Sequence, residues 1–558
     1  MKANSRAIAA TVAVSMLAAG YAASAEEKGK TLDKSVFRTP APNADGNYNI
    51  IFITTDQEHY FSEFPEGSSY RARELLAQLG TTFEKHYSCS TMSTSSRSVI
   101  YTGTHITNTK MIDNTDFDWQ GPLSTGIVTV GDLLRRAGYY TAYKGKWHMG
   151  DVSLLGAAGD GQTDLGEYGF SDWGVDSDYT STIWEGFERD GEIQSDAIEW
   201  LRKTGTEKNS SGISFFLAVN LINPHDIMFF NTDPDFRGTL PVGGPPDAEI
   251  YRKTYDTAVP SSWNQNLADG TLPPAVSAYK TRWEGWTGSV TTEEGWKDFR
   301  NYYFNCIQDS DNHLLEILQE IADLGMMENT IIVFTADHGE MGGSHNLKGK
   351  GGVIFEENIH VPLVVYHPEF EGGRRVSSVT SHLDLAPTFV HMTNISEEKK
   401  AEITSELKGK NLMDLMRNPF GSVRDGSLFC FETLFYRDKG GRIFKAKPWA
   451  EAEGTSGAGF KAMIEVDAST GGTVSLVSRA RAKKQLVRRM VQIAAERVDG
   501  RKLRGAIVHI NAAQDASCLE RMLREEMHCE SLHVSHGRAV TAIQNGEGFI
   551  TFGFYAAD

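Results

Sequence analysis

The chain has 558 residues, 40% hydrophobic and 23% charged, enough for roughly two to four packed units at about 150 residues each, which excludes a peptide, a coiled coil and a wholly disordered tail. Asp and Glu exceed Lys and Arg by 18. That argues against nucleic-acid binding, because neutralising phosphates needs a basic surface, but it leaves an anionic small substrate open, since a few cations and a metal can dominate one pocket.

The N-terminus carries Lys2 and Arg6, then an uncharged stretch from Ala7 to Ala25 that ends in Ala23-Ser24-Ala25. This pattern predicts a signal peptide over 1–25 and a secreted or periplasmic location; the stretch is short and rich in Ala, and no other segment could span a bilayer. Residues 26–47 are polar, with Pro40 and Pro42, and read as an extended lead-in, with order beginning at Tyr48.

Asn49–Thr54 is a nearly continuous apolar run of strand length, as expected of a strand buried on both faces. Polar residues follow at once in Thr55-Asp56-Gln57. The pattern recurs where Phe215–Asn220 leads to Asn223-Pro224-His225 and where Ile331–Thr335 leads to Asp337-His338. Between the last two, Leu314, Leu315, Leu318, Ile321 and Leu324 have helical spacing. Alternating strands and helices predict an α/β sheet with function at the carboxyl ends of its strands. The five Cys are too scattered for a disulfide framework or a zinc site.

Three groups of residues carry chemistry. Asp56, Asp337 and His338 all follow buried strands and could converge on one divalent cation, although a strand-end Asp also commonly caps the next helix. Lys146 and His148 are two apart, so on an extended segment both would face an anionic oxygen from one side. His225 follows Pro224, and Lys350 lies in the Gly-rich run Gly349–Gly352. Ser93 precedes Arg97 by four residues at an apparent helix start, where the dipole favours anions; a Ser/Thr-rich capping loop is the plainer alternative. Tyr251, Tyr255, Trp263, Tyr279, Trp283, Trp286 and Trp296 form an aromatic insertion that could stack on a sugar or aryl group or simply pack.

Read together, Asp56-Gln57, the Ser93–Gly103 segment, Gly145-Lys-Trp-His-Met-Gly150, Asn223-Pro-His225, Thr335-Ala-Asp-His-Gly-Glu340, His345-Asn-Leu-Lys-Gly-Lys350, Glu356-Glu357 with Val361-Pro362, and Asp384-Leu-Ala-Pro387 resemble the ordered motifs of the type I sulfatases of the alkaline phosphatase superfamily, over roughly residues 48–435. The resemblance implies a three-layer α/β sandwich around a mostly parallel sheet. It implies a metal site of Asp56, Gln57, Ser93, Asp337 and His338, with calcium expected, or manganese or zinc in a phosphoesterase. Gln57 and His338 stand where many members have Asp and Asn, a pairing similar to that of phosphonate and phosphodiester hydrolases. Ser93 matches the nucleophile position, usually a Cys converted to formylglycine; here a serine-type maturase would have to oxidise it, and Ser95 stands where the motif has Pro. Lys146 and Lys350 would stabilise the equatorial oxygens, His225 would protonate the leaving alcohol, His148 would orient the nucleophile, and Arg97 would hold its loop. The expected substrate is a small-molecule or oligosaccharide sulfate ester. The alternatives are a phosphodiester or phosphonate monoester hydrolase using unmodified Ser93, and a non-catalytic anion- or lipid-binding protein.

Every Pro and Trp lies at or before Trp449, a composition break that suggests a second unit over 436–558. Lys439–Ile443, a helix bearing Leu486, Met490 and Ile493, a strand Ala506–Ile510 and the run Gly546–Tyr555 resemble the C-terminal half of DegV-type fatty-acid-binding proteins. That family's carboxylate-holding residues come largely from the other half, so a support or dimerisation module is the expectation beside lipid binding.

Overall fold

The computed structural model describes residues 40–117, 120–150, 165–174, 182–431 except 234, 239 and 270, and a set of elements between 435 and 557. The expected signal peptide and most of the lead-in lie outside the described residues. The lead-in packs earlier than Tyr48: the Ala41 N–H donates to the Glu328 carbonyl at 3.0 Å, and buried Asn43 donates to Asn49 Oδ1 and Ser214 Oγ. These groups are at the amino ends of the strands, where an uncovered Asn side chain at a strand start needs a partner.

An eight-stranded sheet forms the frame: β1 (Asn49–Thr55), β2 (Thr81–Tyr87), β3 (Tyr140–Gly145), β4 (Asp172–Gly174), β5 (Phe215–Asn220), β6 (Thr330–Ala336), β7 (Leu363–Tyr366) and β8 (Arg374–Ser381). Their order is β4-β3-β5-β1-β6-β7-β2-β8. All neighbours are parallel except β7, which runs antiparallel to both β6 and β2. Every residue of β1, β5 and β6 is buried. Since side chains alternate between faces, helices must cover both sides. Among them are α1 (Arg71–Leu79), α2 (Ser93–Thr102), α3 (Glu185–Trp200), α4 (Pro274–Thr287) and α5 (Glu293–Asp323). Ala72 and Leu76 of α1, Ile193 and Ala197 of α3, and Leu314, Ile317, Leu318 and Ile321 of α5 join the same core as Ile50 to Ile53 of β1.

This topology decides where the chemistry can be. Strands β3, β5, β1 and β6 are adjacent and parallel, so Lys146, Asn220, Asp56 and Asp337 emerge side by side along one edge, with neighbouring strands roughly 4.8 Å apart.

The C-terminal elements have a core of their own. Strands Lys502–His509, Cys529–His536 and Ile550–Ala557 make a three-stranded sheet, the first in the middle. Helices Lys483–Val498 and Ala513–Glu526 contribute Val487, Val491, Ala494, Leu519 and Leu523 to one apolar cluster with Leu503 and Ile507. Strands Lys461–Asp467 and Thr473–Ala480 form a separate antiparallel pair. Among the described residues no helix is long and apolar enough to cross a membrane.

Candidate active site

Helix α2 begins at Ser93, so this side chain sits in the first turn with the helix N-terminus at its back. Its hydroxyl is at the meeting point of three groups: Lys350 Nζ donates to Ser93 Oγ at 2.8 Å, His338 Nε2 lies at 3.0 Å, and Asp56 Oδ1 accepts from it at 3.4 Å. All four residues are buried.

Asp56, Asp337 and His338 place their ligand atoms within 4.8 Å of one another. His338 Nδ1 faces the Gly339 carbonyl at 3.1 Å. A carbonyl can only accept, so Nδ1 carries the proton and Nε2 turns a lone pair toward Ser93 and the two carboxylates. Burial, and then Lys350, push the His338 imidazole well below its usual range, which keeps it neutral.

Three cations balance the two carboxylates. Arg97 bonds Asp337 through Nε at 3.1 Å and Asp56 through Nη2 at 3.2 Å. Lys146 Nζ is 2.9 Å from Asp56 Oδ2, and Lys350 Nζ is 3.6 Å from Asp56 Oδ1. Burial alone would raise Asp56, yet Lys146, Lys350, His225 and Arg97 together hold it well below the usual carboxylate range. Asp337 moves the other way, raised by burial and by the charge of Asp56. Asn220 ties the cluster to the sheet: its Oδ1 accepts from Thr54, Tyr101 and Arg97.

The donor set fits a hard divalent cation. Gln57 Oε1 is buried with no hydrogen-bond partner, while the rest of that residue is pinned. Its N–H donates to Asp337 Oδ1 at 3.1 Å, its Nε2 donates to Glu340 Oε2 at 2.6 Å, and its backbone has φ +71°. A buried amide oxygen left without a donor fits a cation better than it fits an apolar core.

The structure adds two residues to those read from the sequence. Glu340 accepts from Gln57 Nε2 and from the N–H groups of Gly342 and Gly349, so one carboxylate joins a metal-site amide to the loop that carries Lys350. Asp116 Oδ2 lies 3.1 Å from His148 Nε2. The Lys146–His148 segment is not extended. β3 ends at Gly145 with φ +84°, and His148 has φ +54°, so Lys146 reaches Asp56 while His148 turns to Asp116. The expectation that one strand face presents both is therefore corrected. His225 is buried within electrostatic reach of Lys350, Lys146, Asp56 and His338; burial first, then the two lysines, push it well below its usual range.

The aromatic insertion divides. Tyr251, Tyr279, Trp283 and Trp296 are buried in the fold. Trp283 Nε1 and Tyr279 OH donate to the carbonyls of Lys350 and Lys348, and the Trp283 ring lies so near Gly349 that a Cβ there would sit 2.3 Å away. These rings brace the Lys350 loop.

Residues 48–395 match the family model described as Sulfatase. The chain belongs to the sulfatase family. Among sulfatases of known sequence, it is 25% identical over 394 residues to the uncharacterized sulfatase YidJ of Escherichia coli (strain K12), covering 65% of this chain and 70% of that one. Arylsulfatase K of Danio rerio is 25% identical over 387 residues, covering 66% and 68%. Among solved structures, a 2-O GAG sulfatase aligns with TM-score 0.51 and 19% identity over 70% of this chain and 77% of that one, which supports the alkaline-phosphatase-like α/β fold. Residues 423–557 of this sulfatase match the model described as an uncharacterised protein of the DegV family.

Proposed function

We propose that this sulfuric ester hydrolase acts on a carbohydrate or aryl sulfate, with the side chain at position 93 as nucleophile and Asp56, Gln57, Asp337 and His338 holding a calcium ion. The observation that carries the reading is the position of Ser93 Oγ, within 3.4 Å of a lysine, an imidazole lone pair and a carboxylate that belong to one buried charge cluster. When bound, the cation would supply Lewis-acid polarisation of the ester and favour ionisation of the attacking hydroxyl.

The chain's own residues do the rest. Oxidation of Ser93 by a serine-type maturase before export would remove two hydrogens and leave an aldehyde. In its hydrate, one hydroxyl attacks sulfur and the ester C–O oxygen departs; loss of the proton from the other hydroxyl then expels sulfate and restores the aldehyde. Lys146 and Lys350 set positive charge against the equatorial oxygens. His225 is the group placed to give a proton to the leaving alcohol. His148, held by Asp116, orients the hydrate. The N-terminal pattern of Lys2, Arg6 and Ala7–Ala25 supports action outside the cytoplasm.

The second reading is phosphodiester or phosphonate monoester hydrolysis by unmodified Ser93. It is favoured by Ser95, whose hydroxyl occupies the place of the motif's Pro and is buried without a partner. Peptide mass spectrometry across Ser93 on protein from its native host separates the two, read beside sulfate and phosphate release from aryl esters. Loss of two hydrogens with sulfate release is the expected result. An unmodified Ser with phosphate release moves the protein to the second reading, and an unmodified Ser with neither product leaves an anion-binding protein.

A further inference from the structure

His225 lies in the chain between two backbone clamps, one before it and one after it, both made with helix α3. Beyond β5 the chain turns through Leu221–Pro224 into a short turn of helix, His225–Phe229. As it leaves the sheet, the N–H groups of Ile222 and Asn223 donate to the two oxygens of Asp190, at 2.7 and 2.9 Å. Asp190 belongs to α3. The loop returns the contact, because both oxygens of Asp226 accept from the N–H groups of Gly186 and Phe187 in the first turn of the same helix, each at 2.9 Å. The first turn of a helix has unbonded N–H groups and a positive dipole end, so the Asp226 oxygens there have two donors in fixed positions.

The exchange is tight and buried. A Cβ at Gly186 would fall 2.4 Å from Asn223 Cγ, so only glycine lets helix and loop approach this closely. Asn223 is fixed in turn from α5: its Nδ2 donates to Asp309 Oδ2 at 3.2 Å and to Tyr251 OH at 2.9 Å, and Tyr251 OH donates to Asp309 Oδ2 at 2.8 Å. Asp190, Asn223 and Asp226 are each at most 1% exposed. None of the three acids touches Ser93 or the metal-site residues among the described hydrogen bonds and ion pairs, so the network spends three buried carboxylates on a loop whose distinguishing side chain is His225.

We propose that Asp190 and Asp226 are positioning residues for His225, fixing the loop backbone on either side of it so that its imidazole is aligned with the oxygen of the departing alcohol. The inference rests on the reading of His225 as the proton donor. A general acid works only within hydrogen-bond reach of its target, and a misplacement of about 1 Å can cost on the order of 100-fold. A loop leaving a strand has no ladder bonds of its own, and the reciprocal clamps replace them.

The test compares two sulfate esters that differ in their need for a proton. The 4-nitrophenolate ion leaves unaided, whereas phenolate is a far poorer leaving group. Asp190→Asn keeps the volume but turns an amide N–H₂ against a backbone N–H, and Asp226→Asn does the same at the α3 end. Each variant of the full-length, metal-loaded enzyme is expected to lose about tenfold or more in kcat/KM on phenyl sulfate and less than about threefold on 4-nitrophenyl sulfate. His225→Ala is the reference, with the same selectivity and a larger loss. Equal losses on both esters in both Asp variants, alongside a selective loss in His225→Ala, overturn the inference alone. An unselective loss in His225→Ala overturns the proton-donor reading and the inference with it. If Asp190→Asn does not fold, Asp226→Asn decides by the same ratio.

Discussion

Two groups of buried carboxylates lie near the carboxyl edge of the sheet, and their surroundings give them different charge. Asp56 stands among Arg97, Lys146 and Lys350 and is held well below the usual range despite complete burial. Asp190, Asp226 and Asp309 have backbone N–H, amide and hydroxyl donors, with His313 Nε2 3.7 Å from Asp309 as the one titratable partner in an ion pair among the described residues. Burial pushes Asp190 well above its usual range and Asp226 up to about 7. Dipoles offset the desolvation of a carboxylate less well than full cations do. Asp56 keeps the ionised form that a cation site needs, its neighbour Asp337 is raised by burial and by the charge of Asp56, and the second group serves as fasteners.

The sharpest way to break this contrast is to remove the cation that both metal-site carboxylates share. Arg97→Met leaves Asp56 and Asp337 buried beside each other without their bridging guanidinium, and breaking such a pair costs about 3–5 kcal/mol. Asp309→Asn removes one acceptor from the neutral-donor group and should cost about 1 kcal/mol. Thermal unfolding of the two variants beside the parent checks the difference; equal losses would mean that the two groups are held alike.

A smaller effect is expected at Glu340. Glu340→Gln replaces an oxygen that accepts from Gln57 Nε2 with an amide that competes for orientation, so the Gln57 amide is no longer fixed. Changing a partner of a metal ligand lowers metal affinity about 10–100-fold. Equilibrium dialysis against calcium measures it directly on the intact chain, whatever the substrate. Asp309→Asn should leave calcium binding unchanged, and a matched loss in both would undo the separation of the two groups.

Much of the metal-side group is visible in the chain itself. Asp56, Asp337 and His338 each follow a continuous apolar run, and a strand buried on both faces delivers the next polar residue to the sheet edge. The fasteners are not visible in this way. Asp190 meets the backbone of Ile222 and Asn223, and Asp309 meets Asn223 across 86 positions; such pairings depend on how α3 and α5 cross the sheet, which no local pattern records. Asp116 is hidden for a similar reason, since it is a loop residue whose only signal is its contact with His148. The positive φ at His148 defeats an argument from strand alternation, because the periodicity of two ends where the backbone leaves the extended region. Aromatic residues near a site read alike whether they stack on substrate or brace a loop, and only the contacts of Trp283 and Tyr279 with the Lys350 loop distinguish the two.

A third kind of buried titratable group, an imidazole whose charged form meets burial and the cation Arg417 rather than a counter-charge, gives the smallest effect and a pH signature. His367 packs its ring against Tyr48 and Phe370, and its Nδ1 accepts from the Glu369 N–H at 3.2 Å. Burial, with a further push from Arg417, brings it down to about 3. An unfolded imidazole takes up a proton near pH 6.5, whereas the folded one stays neutral until about pH 3. The unfolded state therefore binds more protons in between, and stability from this residue is full above pH 6.5 and drains away as pH falls toward 3. At pH 5.5 the loss is about 1.4 kcal/mol relative to pH 8. His367→Gln pays for its poorer packing at both pH values but has no proton to take up. The gap in thermal midpoint between parent and variant should therefore be wide at pH 8 and narrower at pH 5.5. A gap that stays constant would mean that this imidazole is not held neutral by its burial, and that depth in the fold alone does not set the charge of the groups compared above.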